Sequence, residues 1–136
     1  MSNAITYATD RPITVEQFRE VLEASTLGER RPVGDTARLE KMLRHANLIV
    51  TAWEGDRLVG VSRCLCDFAF VNYCSDLAVL ASHQRQGIGR ELLRLSLEAG
   101  GYQVVLLAAP KAVDYYPRIG LQQHPSAWML DPGGLG

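Results

Sequence analysis

The segment Val79-Leu80-Ala81-Ser82-His83-Gln84-Arg85-Gln86-Gly87-Ile88-Gly89-Arg90-Glu91-Leu92-Leu93 constrains this chain more than any other. It passes from an apolar strand, through a polar loop, into a glycine-punctuated turn and then a leucine-rich helix. Glycine has no Cβ, so the backbone at Gly87 and Gly89 can take unusual dihedrals and approach a ligand closely. A helix that begins there presents unpaired N–H groups and the positive end of its dipole. Such a helix start is a seat for phosphate, and Gln84, Arg85 and Arg90 surround it with donors and positive charge. The plainer alternative is a glycine-rich turn that only lets a helix pack on a strand.

The loop does not end in Lys-Ser/Thr, as a nucleoside-triphosphate loop does, and it lacks the three-glycine dinucleotide spacing. Gln84-x-x-Gly87-x-Gly89 instead resembles the Gln/Arg-x-x-Gly-x-Gly/Ala motif of the GNAT N-acetyltransferase superfamily. A second match follows the apolar run Val104-Val105-Leu106-Leu107-Ala108. There, Ala112-Val113-Asp114-Tyr115-Tyr116-Pro117-Arg118-Ile119-Gly120-Leu121 resembles that superfamily's Ala-x-x-Phe-Tyr-x-x-x-Gly-Phe helix. Tyr115 stands for Phe, Leu121 for the last Phe, and Pro117 predicts a short or kinked helix. Two motifs in order are more specific than either. The resemblance runs roughly from Ile5 to Leu130 and is poor in the first third.

The bulk numbers agree with one domain over residues 1–136, large enough for a real core. Net charge is −1 and the isoelectric point is near 6.3, which gives no basic excess for nucleic acid. No apolar run reaches membrane-spanning length, and Met1 to Thr6 has no signal-peptide character. Cys64, Cys66 and Cys74, an odd count without an export signal, fit a reducing cytoplasm. Cys64 and Cys66 share one face of a strand and read as small buried hydrophobes rather than metal ligands, so no metal is expected.

Thr14-Val15-Glu16-Gln17 reads as a capping box that opens a helix to about Ala24. Leu27 to Gly34 is a breaker-rich loop, and Asp35 or Thr36 caps a second helix bearing Leu39, Met42, Leu43 and Ala46. Leu48–Trp53 and Leu58–Cys64 form a hairpin about Glu54-Gly55-Asp56. Asp67 to Val71 connects to a strand from Tyr73 to Leu80. The helix Gly89–Ala99 ends at Gly100-Gly101. A strand from Val104, the Tyr115-Tyr116 helix and a final strand or pair within Gln122–Leu130 complete the pattern. The fold class is α/β (α+β): a mixed, mostly antiparallel central sheet flanked by helices. The resemblance adds a strand that splays from its neighbour at the cofactor site.

The resemblance implies acetyl-coenzyme A, with its pyrophosphate over Gln84, Arg85, Gln86, Gly87, Ile88, Gly89 and Arg90. The main-chain atoms of Leu77, Ala78 and Val79 would take the pantetheine arm like an added strand. It places Tyr116 beside the coenzyme sulfur as general acid toward the thiolate, a task that suits a phenol of pKa near 10; Tyr115 reads as a core residue. The base is less defined: Asp76 is the first candidate, equally readable as a structural acceptor or an acceptor-pocket group, and Asp67 and His83 are outside candidates. Arg30 and Arg31 flank the acceptor cleft of the resembled fold and, with Arg63, would meet an acidic group on the acceptor; their ordinary role is a solvated charge.

The expected activity is acetyl transfer to a primary amine of a small molecule or peptide. The partners are that acceptor, without nucleic acid or membrane, and by analogy with the fold a homodimer. The rivals are a coenzyme A-binding regulatory module without catalysis and a structural domain whose loop binds nothing.

Overall fold

Side-chain caps set both helices of the first third. The computed structural model describes residues 4–25 and 27–136. Strand β1 (Ile5–Ala8) leads to helix α1 (Val15–Ala24), where the expected capping box is complete. The Gln17 amide donates to Thr14 Oγ1 at 3.1 Å and the Thr14 amide to Gln17 Oε1 at 2.8 Å. A 3₁₀ turn (Leu27–Arg30) precedes helix α2 (Thr36–His45), which Asp35 caps by accepting from the Arg38 amide at 3.0 Å.

The sheet follows from the apolar strands. Strands β2 (Leu48–Glu54), β3 (Arg57–Cys66) and β4 (Asn72–Val79) form an antiparallel meander with β1 at one edge. The hairpin turns at Gly55, whose φ of 61° suits glycine. Helix α3 (Ile88–Gly100) carries the chain to β5 (Val104–Val105), which pairs parallel to β4 and forms the other edge. A short helix α4 (Tyr115–Arg118) follows. The order is β1-β2-β3-β4-β5, a mixed, mostly antiparallel sheet as expected.

The two faces of the sheet bury different helices. Ser62 of β3 hydrogen-bonds Ser96 of α3 at 2.8 Å, whereas Arg63, next in the strand, reaches the Met42 carbonyl of α2 at 3.3 Å. Phe18, Leu22 and Leu39 are fully buried on the α1/α2 side. Gly60 faces α3 tightly: a Cβ there would stand 3.1 Å from Leu92 and 3.3 Å from Ile88. All three cysteines are buried and free, the small-hydrophobe role expected of them.

Two expectations are corrected. The strand from Val104 forms only as far as Val105, because β5 diverges from β4 beyond the pair Tyr73–Val105 and the ladder ends. No strand forms among residues 122–136. Pro125 and Pro132 interrupt that segment and withhold amides from any ladder. Among the described residues no helix is long and apolar enough to cross a membrane.

Candidate active site

A bulge in β4 organises the site. Arg63 pairs with Asp76 and Cys64 with Cys74, so Ser75 is an extra residue with no partner in β3. The bulge switches faces: Asn72 and Cys74 lie on the α3 side, where they reach Ser96 and Ser62. Asp76, two residues beyond Cys74, lies on the α1/α2 side. Leu77 and Val79, opposite Ser62 and Gly60, return to the α3 side.

Past Tyr73 the outer edge of β4 is open. The Leu80 amide donates to the Val59 carbonyl of β3 at 2.9 Å. Main-chain groups alternate between the two edges of a strand, so Leu77 and Val79 direct theirs to the open edge and Ala78 directs its own to β3. Of the three main-chain candidates, two therefore face the gap. Gln84 bridges strand and loop, its Nε2 donating to the Val79 carbonyl at 3.0 Å.

The loop then turns through two left-handed residues, Arg85 (φ 65°) and Gly87 (φ 81°). Gly87 is the N-cap of α3 and supplies no side-chain cap, so the first amides of the helix stay open toward solvent. No atom stands within 4 Å of a Cβ built on Gly87. Arg85, Gln86 and Arg90 are exposed around this opening, whereas the Ile88 side chain is buried in the core and can contribute only its main chain.

Helix α4 comes against this first turn. It has one turn, as Pro117 predicts, and its Tyr116 carbonyl accepts from the Leu121 amide at 3.0 Å. The Tyr115 and Tyr116 rings meet edge-on, centroids 5.2 Å apart. Tyr116 packs against the core, and burial pushes its pKa up to about 12, with Cys74 and Tyr115 adding to the rise. Tyr115 also has a raised pKa, chiefly from burial and opposed by Arg90. Its hydroxyl sits over Gly89: it is not the pure core residue expected, and Gly89 is small to admit it.

Asp76, Arg31 and Arg63 form one buried cluster. The Asp76 side chain is 0% exposed; Arg31 Nε donates to its Oδ1 at 2.5 Å and Arg63 Nε to its Oδ2. Arg31 Nη2 also donates to the Ser75 carbonyl at 2.6 Å, and Arg63 Nη2 to Ser75 Oγ at 3.0 Å. Both carboxylate oxygens are committed to guanidinium groups, so this geometry makes Asp76 an anchor rather than a free base. Arg31 and Arg63 are likewise spent on holding Asp76 and the bulge, not displayed for an acceptor. Arg30 is exposed.

The outside candidates have structural work too. Asp67 Oδ1 accepts from the amides of Ala69, Phe70 and Val71 at 2.8–2.9 Å, which lowers its pKa and folds the β3–β4 loop. His83 is buried between Ser82 Oγ (2.7 Å) and Glu54 Oε2 (3.3 Å). The cluster joins residues 45 and 13 positions apart and escapes local reading. Its one sequence signal is Asp76 itself, a carboxylate inside an apolar strand that requires a partner.

A glycine-entered helix thus stands beside two diverging strands, with the Tyr115 hydroxyl over its first turn. Residues 16–128 match the family model described as the acetyltransferase (GNAT) domain, and the chain belongs to that family. It is 32% identical over 132 residues to a ycf52-like N-acetyltransferase of Prochlorococcus marinus, across 91% of this chain and 67% of that one. A GNAT-family acetyltransferase of Streptococcus pneumoniae superposes with a TM-score of 0.72 at 29% identity, covering 93% of this chain and 98% of the other. An aminoglycoside N-acetyltransferase solved in complex with CoA shares the fold, with a TM-score of 0.71 at 13% identity over 97% of each chain.

Proposed function

We propose that the chain is an acetyl-coenzyme A-dependent N-acetyltransferase whose acceptor is a primary amine of a small molecule or peptide. The observation that carries this reading is the open edge of β4 beside the uncapped first turn of α3. The space at Gly87 and the open amides fit a pyrophosphate, and the outward main-chain groups of Leu77 and Val79 fit an amide-bearing arm. Gln86, Arg85 and Arg90 would add charge around the phosphates. The cofactor supplies an acetyl group activated as a thioester. Tyr116 Oη keeps its proton through neutral pH and can give it to a leaving sulfur.

An amine of lysine-like pKa must shed its proton at a cost of about 4.6 kcal/mol at pH 7. With both Asp76 oxygens engaged, we assign that proton to solvent water. Arg30, which is exposed, is left to meet an acidic group on the acceptor. Three buried free thiols support a cytoplasmic setting. Calorimetry with coenzyme A and an acetylation screen over polyamines, aminoglycosides, amino acids and peptides test the reading. Binding that Gly87→Val abolishes, with turnover on one amine class, is expected. Binding without turnover would make the chain a regulatory module, and no binding would leave the loop structural.

A further inference from the structure

A polar cluster lies buried between the sheet and α3. Ser62, Cys64 and Cys74 converge there with Ser96, and none is more than 2% exposed. Counting protons fixes the directions of its hydrogen bonds. Ser96 Oγ donates its one proton to the Leu92 carbonyl at 2.7 Å, so it accepts from Ser62 Oγ at 2.8 Å. Ser62 then has only lone pairs left for Cys64 Sγ at 3.4 Å and Cys74 Sγ at 3.3 Å. One oxygen thus gathers two thiols. The same two residues are direct partners in the β3–β4 ladder. Opposed residues of antiparallel strands hold their Cα atoms about 4.5–5.5 Å apart, inside the ~4.4–6.8 Å that a disulfide spans. Cys66 stands apart: it faces Asn72 in the ladder, and its Sγ donates to the Gly100 carbonyl at the C-terminal end of α3 at 3.4 Å.

The pair is asymmetric. A hydrogen bond from Cys74 lowers the pKa of Cys64, and the same contact raises that of Cys74, so Cys64 is the sulfur that ionises. The pair also has a way in. The last rung between β4 and β5 is Tyr73–Val105, so Cys74 is the first residue of β4 beside the gap, which admits a molecule as small as hydrogen peroxide. We propose that Cys64 and Cys74 form an oxidation site, which hydrogen peroxide converts to a cross-strand disulfide. The Cys64 thiolate attacks one peroxide oxygen and the O–O bond breaks. The hydroxide that leaves takes up the proton Cys64 had given, and becomes water. The Cys74 sulfur then attacks the sulfenic sulfur of Cys64, the S–O bond breaks, and hydroxide departs with the Cys74 proton as a second water. The two thiols lose two electrons and one peroxide gains them. The new bond ties β3 to β4 beside the bulge, where Cys74 Sγ also touches the Asp76 carbonyl at 3.5 Å. The proposal is independent of the acetyltransferase reading.

Thiol counting and intact mass test it on the full, folded chain. After hydrogen peroxide, the protein is unfolded in iodoacetamide. It should carry one free thiol in place of three, and peptide mapping should find a Cys64–Cys74 link with Cys66 alkylated. Before alkylation its mass should be lower by two hydrogens, and dithiothreitol should restore all three thiols. Cys66→Ser should form the same link, whereas Cys64→Ser and Cys74→Ser should form none. Mapping of the wild type identifies the link by itself if either of those two variants fails to fold. Closing the ring constrains the unfolded chain, so the oxidised form should melt above the reduced one. Three thiols surviving the treatment would overturn the proposal. So would a link to Cys66 or between chains, a sulfinic or sulfonic acid in place of a link, or an oxidised form that melts lower.

Discussion

A Cβ on Gly89 would stand 2.8 Å from the hydroxyl of Tyr115 and 3.7 Å from the ring carbon bearing it. The clash falls on one oxygen at the far end of a side chain, not on backbone. Gly89→Ala should therefore keep or raise the melting temperature, since alanine in a helix is better than glycine by about 1 kcal/mol. It should also push Tyr115, and Tyr116 with it, off the first turn of α3, weakening coenzyme A roughly tenfold, ~1.4 kcal/mol. Gly89→Ala with Tyr115→Phe removes the clashing oxygen and should recover affinity. A Gly89→Ala protein that binds normally without the second change refutes the coupling.

Gly87 calls for the opposite result. Its surroundings are empty, but its φ is 81°. Gly87→Ala should cost about 1–2 kcal/mol of stability through the left-handed backbone alone. A denaturant titration checks this, and an unchanged midpoint contradicts it.

Asp76→Asn should be severe. It leaves two guanidinium groups, one nearly buried and one 20% exposed, without their counter-charge. Removing one partner of such a cluster costs about 3–5 kcal/mol. Arg63→Ala should cost more than Arg31→Ala, which is nearer water. A stable Asp76→Asn protein that lost only turnover would restore Asp76 as the base.

Tyr116 predicts an alkaline limb. Its folded pKa, about 12, lies above the unfolded value near 10. The unfolded chain therefore gives up this proton first as pH rises. The contribution is fully present below pH 10 and is lost as pH climbs through about 12, at up to ~1.4 kcal/mol per pH unit. Tyr116→Phe should flatten this limb only in part, because Tyr7 and Tyr115 are also raised by burial. At neutral pH the same variant should lose about 10²–10⁴-fold in kcat with little change in the KM for acetyl-coenzyme A. Urea melts from pH 8 to 12 and steady-state kinetics read the two effects separately.

Local signals carried much of this fold into the sequence. Thr14 and Gln17, Asp35, Gly55, Gly87 and Gly101 each act on their own neighbours, and the helices and hairpin begin and end where those residues place them. The glycine turn into α3 was legible for the same reason. The Arg31–Asp76–Arg63 cluster was not, because it depends on a bulge that no residue type at Ser75 announces. The place of Tyr115 was missed because the motif speaks of a phenylalanine, whereas the added oxygen lies over Gly89. The failed strand after Gln122 has strand-like side chains, but a strand exists only where a partner edge does.

Along β4 the alternation of buried and half-buried residues runs unbroken from Asn72 to Val79, although the helical layer behind it changes at Ser75. Pairwise perturbation would expose the seam. Changes at Cys74 should compound with those at Ser96, and changes at Asp76 with those at Arg31, while Cys74 and Asp76 couple more weakly, through the Cys74 Sγ contact with the Asp76 carbonyl at 3.5 Å. Deleting Ser75 would leave Asp76 opposite Arg63 and Cys74 opposite Cys64, each on its own face, but would remove the carbonyl that Arg31 holds and the hydroxyl that Arg63 holds. One unpaired serine thus works as a clutch between two half-cores, letting each be retuned without dragging the other.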